Sequence, residues 1–229
     1  MTLIIGSGYL GQRLKNFFPN SISTNLPTDV KGDEIAFDLR ETSISKLPDA
    51  EQLIITCSIE FLGPRATSVA EVLKQRYPKI ILISSASSFI VDTPNSEINE
   101  STPLKDSTRV EAESHFSSFA TILYCGLLWD QETRNPQKWL ASSRIKNGNK
   151  LINFTNADTL PAICNHIFEH PQIPPGAYIC TDSPAQTWQV LATKYHISLP
   201  SDTVDKRSKK LLSDKLKSFI PKKFFTSPF

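Results

Sequence analysis

Several signatures are missing from this chain, and each absence narrows what it can be. Its four cysteines, Cys57, Cys125, Cys164 and Cys180, stand far apart with no Cys-x-x-Cys pair. That spacing argues against a zinc ribbon or a dithiol redox site, and reduced, mostly buried thiols in a cytoplasmic protein are the expectation. The first apolar run is three residues long and breaks at a glycine, so no signal peptide is expected. No apolar stretch reaches the eighteen or so residues a membrane span needs. A Gly-x-Ser-x-Gly elbow is absent, which removes the usual serine-hydrolase pattern. His166 and His170 share a spacing of four but have no His-Glu-x-x-His order, and Pro171 follows them directly, so a surface pair is expected there and no metal site. No internal repeat is visible.

What is present is an ordinary globular composition with uneven charge. Of 229 residues, 39% are hydrophobic and 21% charged, enough to build a core without staples. The net charge of +2 hides a mildly acidic body and a basic tail: residues 201–229 carry eight Lys/Arg against three Asp. An acidic body argues against a dedicated nucleic-acid binder. Within the tail, Leu211, Leu212, Leu216, Phe219 and Ile220 trace an apolar stripe that is expected to pack on the body.

The most informative stretch is the N-terminus. Leu3, Ile4 and Ile5 form an apolar strand running straight into Gly6-x-Gly8-x-x-Gly11, and the pattern Tyr9, Leu10, Leu14, Phe17, Phe18 then predicts a helix ending before Pro19. Strand, glycine turn and helix in this order place free helix N–H groups where a dinucleotide pyrophosphate can rest. Gly6 allows the turn, Gly8 the approach of the phosphate, and Gly11 the packing of helix on sheet. A glycine-rich turn without ligand would give the same letters.

Further strands are expected at 21–25, 34–39, 52–57, 79–83 and 119–124, with helices at 63–77 and 108–119. Val69, Val72 and Leu73 should face the core. This alternation predicts an α/β fold, a doubly wound and mostly parallel Rossmann-like sheet. Beyond about residue 130 the rhythm changes. Helices are expected at 136–145, 160–169 and 184–195, the last with Ser183 as its N-cap, together with strands near 148–154 and 177–180. The expected organisation is therefore a dinucleotide-binding domain over 1–130 and a reduced C-terminal lobe over 131–229 that ends in the basic amphipathic tail. Trp129, Trp139 and Trp188 are expected as packing anchors.

The glycine turn, Asp38-Leu39, the strand ending at Cys57-Ser58 and the strand ending at Ile83-Ser84-Ser85 follow a familiar order. Together they resemble the extended short-chain dehydrogenase/reductases, especially the NAD-dependent epimerase/dehydratase branch that acts on nucleotide sugars. Pro103 with Glu111-Ala112-Glu113, Thr121–Gly126 with Tyr124 where an arginine is common, Asn153 to Asp158, and Tyr178 to Asp182 are similar to later stretches of that family. The resemblance implies NAD or NADP as cofactor, a nucleotide-sugar or smaller substrate, and homodimers paired through the helices beside the site. It implies cofactor contacts from Gly6, Gly8, Tyr9, Leu10, Gly11, Asn25, Asp38, Leu39, Ser58 and Arg109. Strand 21–25 ends in Thr24-Asn25 with no acid, and Arg13 lies close to the glycine turn, which leans the choice toward NADP.

In that family a serine or threonine and a Tyr-x-x-x-Lys pair move the substrate's proton. Here no tyrosine stands between Tyr77 and Tyr124. The tyrosine and lysine places fall near Lys105 and Arg109. The hydroxyl place falls at Ala86, for which Ser85, Ser87 or Ser88 could substitute. The candidate catalytic residues are therefore Ser85, Ser87, Lys105 and Arg109. Arginine cannot serve as a base at neutral pH. Two readings stay open: an epimerase- or reductase-like enzyme with a rebuilt proton path, or a non-catalytic dinucleotide-binding sensor or scaffold. A third is an interaction protein with an empty crevice.

Overall fold

The computed structural model describes residues 1–142, 145–182, 184–200 and 205–226. Strand β1 (Thr2–Ile5) leads into helix α1 (Tyr9–Phe17), then β2 (Ser21–Asn25), β3 (Ile35–Ala36) and β4 (Gln52–Ile55). Helix α2 (Ala66–Arg76), β5 (Lys79–Ser85), β6 (Ser96–Ile98), α3 (Thr108–Ser114) and β7 (Thr121–Cys125) follow. Next come β8 (Leu127–Trp129), α4 (Pro136–Ala141), β9 (Leu151–Ile152), β10 (Phe154–Asn156) and α5 (Leu160–Glu169). The last are β11 (Gly176–Cys180), β12 (Gln186–Thr187), α6 (Trp188–Lys194), β13 (Lys209–Leu211) and α7 (Asp214–Lys217).

Seven strands share one sheet in the order β11-β7-β5-β4-β1-β2-β3. β1 pairs in parallel with both β2 and β4, β2 with β3, and β4 with β5. The fold is thus the doubly wound α/β sheet that the sequence pattern predicts. Leu3, Ile4, Ile5, Leu53, Ile54, Ile55, Ile80, Ile81 and Leu82 are all buried. Consecutive rather than alternating burial is what a parallel sheet covered on both faces requires. Strand order reverses between β1 and β4, and in such sheets the crevice outside the carboxyl ends at that reversal is where ligands bind.

The chain forms two compact units, each discontinuous in sequence. The first comprises residues 1–84, 105–124 and 161–177, the second the remaining described residues. The second unit has its own aromatic core. Trp129, Phe154 and Trp188 are buried with Leu140 and Leu191, and Trp139 packs against them. Phe154 meets Trp129 and Trp188 edge to face, with ring centroids 6.3 and 5.9 Å apart. The basic tail belongs to this unit. Its stripe is divided between a strand and a short helix: β13 pairs in parallel with β6, and Leu211, Leu216 and Ile220 are buried while Phe219 is partly exposed. Asn153 holds the strand in place, donating to the Lys209 carbonyl at 2.9 Å and accepting from the Leu211 N–H at 2.8 Å.

Several boundaries differ from expectation, and four of them have a local reason. The third strand stops at Ala36, because Asp38 turns the chain by accepting the Arg40 N–H at 2.9 Å. Helix α2 begins at Ala66, after Gly63 adopts φ +49° ahead of Pro64. On that helix Ala70 is buried beside Val69 and Leu73, while Val72 is 39% exposed. Helix α3 ends at Ser114, where the Ser114 and Ser117 hydroxyls donate to the carbonyls of Glu111 and Ser114 and so compete with the helical ladder. Helix α6 starts at Trp188, capped by Thr187, whose hydroxyl accepts the Val190 N–H. Ser183, expected as that cap, lies outside the described residues. No disulfide forms: Cys125, Cys164 and Cys180 are buried and Cys57 half-buried, all free. Among the described residues no helix is long and apolar enough to cross a membrane.

Candidate functional site

The glycine turn is built by close packing. Gly6 has φ +101°, a conformation that favours glycine, and a Cβ there would stand 2.7 Å from the Thr56 hydroxyl. That hydroxyl donates to the Gly6 carbonyl at 2.7 Å, tying the turn to the end of β4. A Cβ on Gly11 would overlap the Gly6 carbonyl oxygen itself. Gly8 is different, with nothing within 4 Å of where its Cβ would stand. It caps α1 with no side-chain hydrogen bond, and no acidic residue stands in the first turn. The positive end of α1 therefore faces open space.

That space is part of a cavity of about 400 Å³ in the first unit. Its floor is Ile5-Gly6-Ser7-Gly8, and Thr24, Asn25 and Leu26 form one side. Phe37 to Arg40 form a second wall, and Cys57, Ser58, Phe61 and Leu62 a third. Phe61 is 61% exposed, unusual for a phenylalanine, and its ring lies 5.9 Å from the Arg40 guanidinium carbon. A flat apolar group could be held between such walls.

Charge in and beside the cavity is arranged in pairs. Asp38 is buried, and Arg40 grips both its oxygens at 2.5–3.1 Å. The hydrogen bond from Arg40 holds the Asp38 carboxyl below the usual range. Glu34 reaches in from the loop before β3. It accepts from the Ser7 hydroxyl, from Asn25 Nδ2 at 3.1 Å and from the Lys31 N–H at 2.9 Å. Burial works to raise its pKa, yet these donors outweigh it and the net shift is downward. The Cys57 thiol is pushed up to about 11 by burial, so it lines the cavity as a neutral group and not as a nucleophile.

Of the residues expected to touch a cofactor, Gly6, Gly8, Asn25, Asp38, Leu39 and Ser58 line this cavity. Tyr9, Leu10 and Gly11 form the first turn of α1 behind it, with Leu10 and Gly11 buried. Arg13 folds back over the Tyr9 ring at 4.1 Å and donates to the Tyr9 carbonyl at 3.1 Å. Arg109, on α3, donates to the Ser58 hydroxyl at 3.2 Å and pairs with Glu60 at 3.3 Å. The four expected catalytic residues divide between the units: Lys105 and Arg109 lie in the first, Ser85 and Ser87 in the second. Ser85 donates to the Ser87 hydroxyl at 2.9 Å, and Lys105 is exposed.

Tyr124 does not fill the place of the missing tyrosine. It is buried, and its hydroxyl donates to Glu113 Oε2 at 3.1 Å, while Ser84 donates to Oε1 of the same carboxyl at 2.5 Å. Burial drives the Tyr124 hydroxyl far upward, and it stays protonated. His166 and His170 stack at 3.7 Å, and no group of three metal-ligating side chains exists among the described residues.

No family model matches the sequence, and no curated protein matches it. Its fold nevertheless recurs in solved structures. UDP-glucuronic acid 4-epimerase from Bacillus cereus, in complex with NAD, is 15% identical, with 99% of this chain and 92% of that one covered and a TM-score of 0.72. dTDP-glucose 4,6-dehydratase from Bacillus anthracis, in complex with NAD, is 12% identical over 95% of this chain and 89% of that one, with a TM-score of 0.68. A human epimerase family protein with NADPH is 13% identical over 96% and 93%, also with a TM-score of 0.68.

Proposed function

We propose that this chain, which has the fold of the NAD-dependent epimerase/dehydratases, binds a nicotinamide dinucleotide across the mouth of its glycine turn. The observation that carries this reading is the open space above Gly8 at the uncapped positive end of α1. A pyrophosphate would rest there on backbone N–H groups. The adenine would lie against Leu26, Phe37, Leu39 and Phe61 in the cavity, with the Asp38–Arg40 pair at its edge. Arg109 and Ser58 would hold the ribose on the nicotinamide side. The dinucleotide, when bound, supplies a hydride donor or acceptor; the chain's residues supply the position and the electrostatics. Neighbours of this fold carry NAD or NADPH, which supports the same class of ligand here.

Gly8→Asp tests the reading. An aspartate at a helix N-cap usually stabilises a fold, and this position has room for it. The melting temperature should therefore hold or rise, while NADH and NADPH affinity, read by fluorescence titration, should fall by about a hundredfold or more through charge repulsion. Tight binding by the variant would end the proposal. A second pair of variants tests the placement of α3. Arg109→Ala should weaken binding about tenfold and Lys105→Ala by less than about twofold, because Arg109 bonds to Ser58 of the cavity wall. Equal, negligible effects would remove Arg109 from the site.

The non-catalytic reading, a sensor or scaffold, has one specific observation in its favour. The usual tyrosine is missing from residues 78–123, and the next one, Tyr124, is locked to Glu113. Incubation with nucleotide sugars and small carbonyls, followed by nicotinamide absorbance and product analysis, separates this from the enzymatic reading. Turnover above background would show a rebuilt proton path.

A further inference from the structure

We infer that Glu34 makes the adenosine-ribose corner of the cavity selective for NAD over NADP, its carboxylate accepting the ribose 2′-hydroxyl and repelling a 2′-phosphate. This rests on the dinucleotide reading above and names the form of the ligand.

Strand β2 ends without an acid, so its sequence leaves the corner neutral. The fold fills it from nine residues further along. The Glu34 carboxylate bridges Ser7 of the glycine turn and Asn25 at the end of β2, both of which line the cavity. A dinucleotide whose pyrophosphate rests at Gly8 must pass its adenosine ribose between the glycine turn and the end of β2. At that point a hydroxyl donor finds an ionised acceptor already oriented by three hydrogen bonds. A 2′-phosphate would instead bring nearly two negative charges against it.

The surrounding cations do not reverse the sign. Lys15 pairs with Asp33. Arg40 is held by Asp38, with Nη2 at 2.5 Å from its carboxylate. Arg13 lies over the Tyr9 ring and bonds to the Tyr9 carbonyl. The Asn25 amide, which could otherwise donate to a phosphate, gives its hydrogens to Glu34 and to the Asp29 carbonyl at 2.8 Å. A phosphate here would have to break existing pairs as well as overcome Glu34.

The test is titration of the full chain with NADH and with NADPH by nicotinamide fluorescence, for the native protein, Glu34→Gln and Glu34→Lys. The native protein should bind NADH at least about tenfold more tightly than NADPH, Glu34→Gln should bring the two within about threefold, and Glu34→Lys should invert the order. Inversion cannot arise from a loss of folding. Native binding of NADPH as tight as NADH, or variants that leave the ratio unchanged, would overturn the inference and leave dinucleotide binding standing. No saturable binding of either nucleotide would overturn both.

Discussion

Gly11→Ala is expected to destabilise the chain by about 3 kcal/mol or more, although elsewhere on an exposed helix the same exchange stabilises. The reason is geometric. The new Cβ would coincide with the Gly6 carbonyl oxygen, a backbone atom that also accepts from Thr56. A flexible side chain could swing aside, but Gly6 sits in a turn at φ +101° whose own Cβ space is occupied by Thr56 and Cys57. Relief would require α1 to lift from β1, and Leu10 and Leu14 would lose their burial with it. Gly8→Ala provides the control, since nothing surrounds that position. Urea melts of the two variants should differ in midpoint, with Gly8→Ala, which only exchanges a tolerated N-cap residue for a poorer one, costing about 1 kcal/mol or less. Similar midpoints would mean that helix and turn are packed less closely than described.

This contrast within one motif explains why the N-terminus is so legible in sequence. Gly11 answers to the Gly6 carbonyl within the strand–turn–helix unit, Gly6 to its positive φ and to Thr56 and Cys57 after β4, and Gly8 to open space, and the fixed spacing of the three carries all of these at once. The sheet is legible for a related reason: runs such as Leu3–Ile5, Leu53–Ile55 and Ile80–Leu82 have no polar face to expose, so they must be covered on both sides. Helix ends are less legible. The end of α3 depends on two serine hydroxyls choosing helix carbonyls, and the start of α2 on a single glycine dihedral, neither of which alters the apolar period.

The site beyond the glycine turn is hidden for another reason. Glu34 belongs to a loop and Phe61 to a single 3-10 segment (Glu60–Arg65), neither with a periodicity to read, and only the parallel register of β1, β2 and β4 brings the two to one edge. Glu34 is visible in the sequence only as an acid nine residues past the end of β2. Arg40 follows Asp38 at a spacing that suits a turn, yet the bidentate grip is visible only in three dimensions. Tyr124 stands where the resemblance leads one to expect arginine, and the structure supplies the consequence. Burial raises the Glu113 pKa against the hydrogen bonds of Ser84 and Tyr124 and the nearby charge of Arg109.

The second unit contains the other large effect. Asp182 is 6% exposed, and its carboxylate accepts from the Trp129 indole at 3.0 Å. Burial raises its pKa from 3.8 to about 7, outweighing the Trp129 bond, the Asn156 backbone and the charge of Lys217. Lys217 is itself desolvated, and its pKa is lowered. A carboxyl whose folded pKa lies above its unfolded one binds its proton more tightly in the folded state. Its contribution is complete below about pH 4 and is lost as pH rises through about 7. The rise corresponds to something on the order of 4 kcal/mol across that window. Asp182→Asn keeps the shape and an acceptor for Trp129 but has no proton to lose. Thermal melts should show the variant near the native protein at pH 4.5 and well above it at pH 8.5, by several degrees. An equal shift at both pH values would mean that Asp182 acts through packing alone, and a loss at pH 8.5 would mean that the Lys217 ammonium, left without its counter-charge, outweighs the cost of the buried carboxylate.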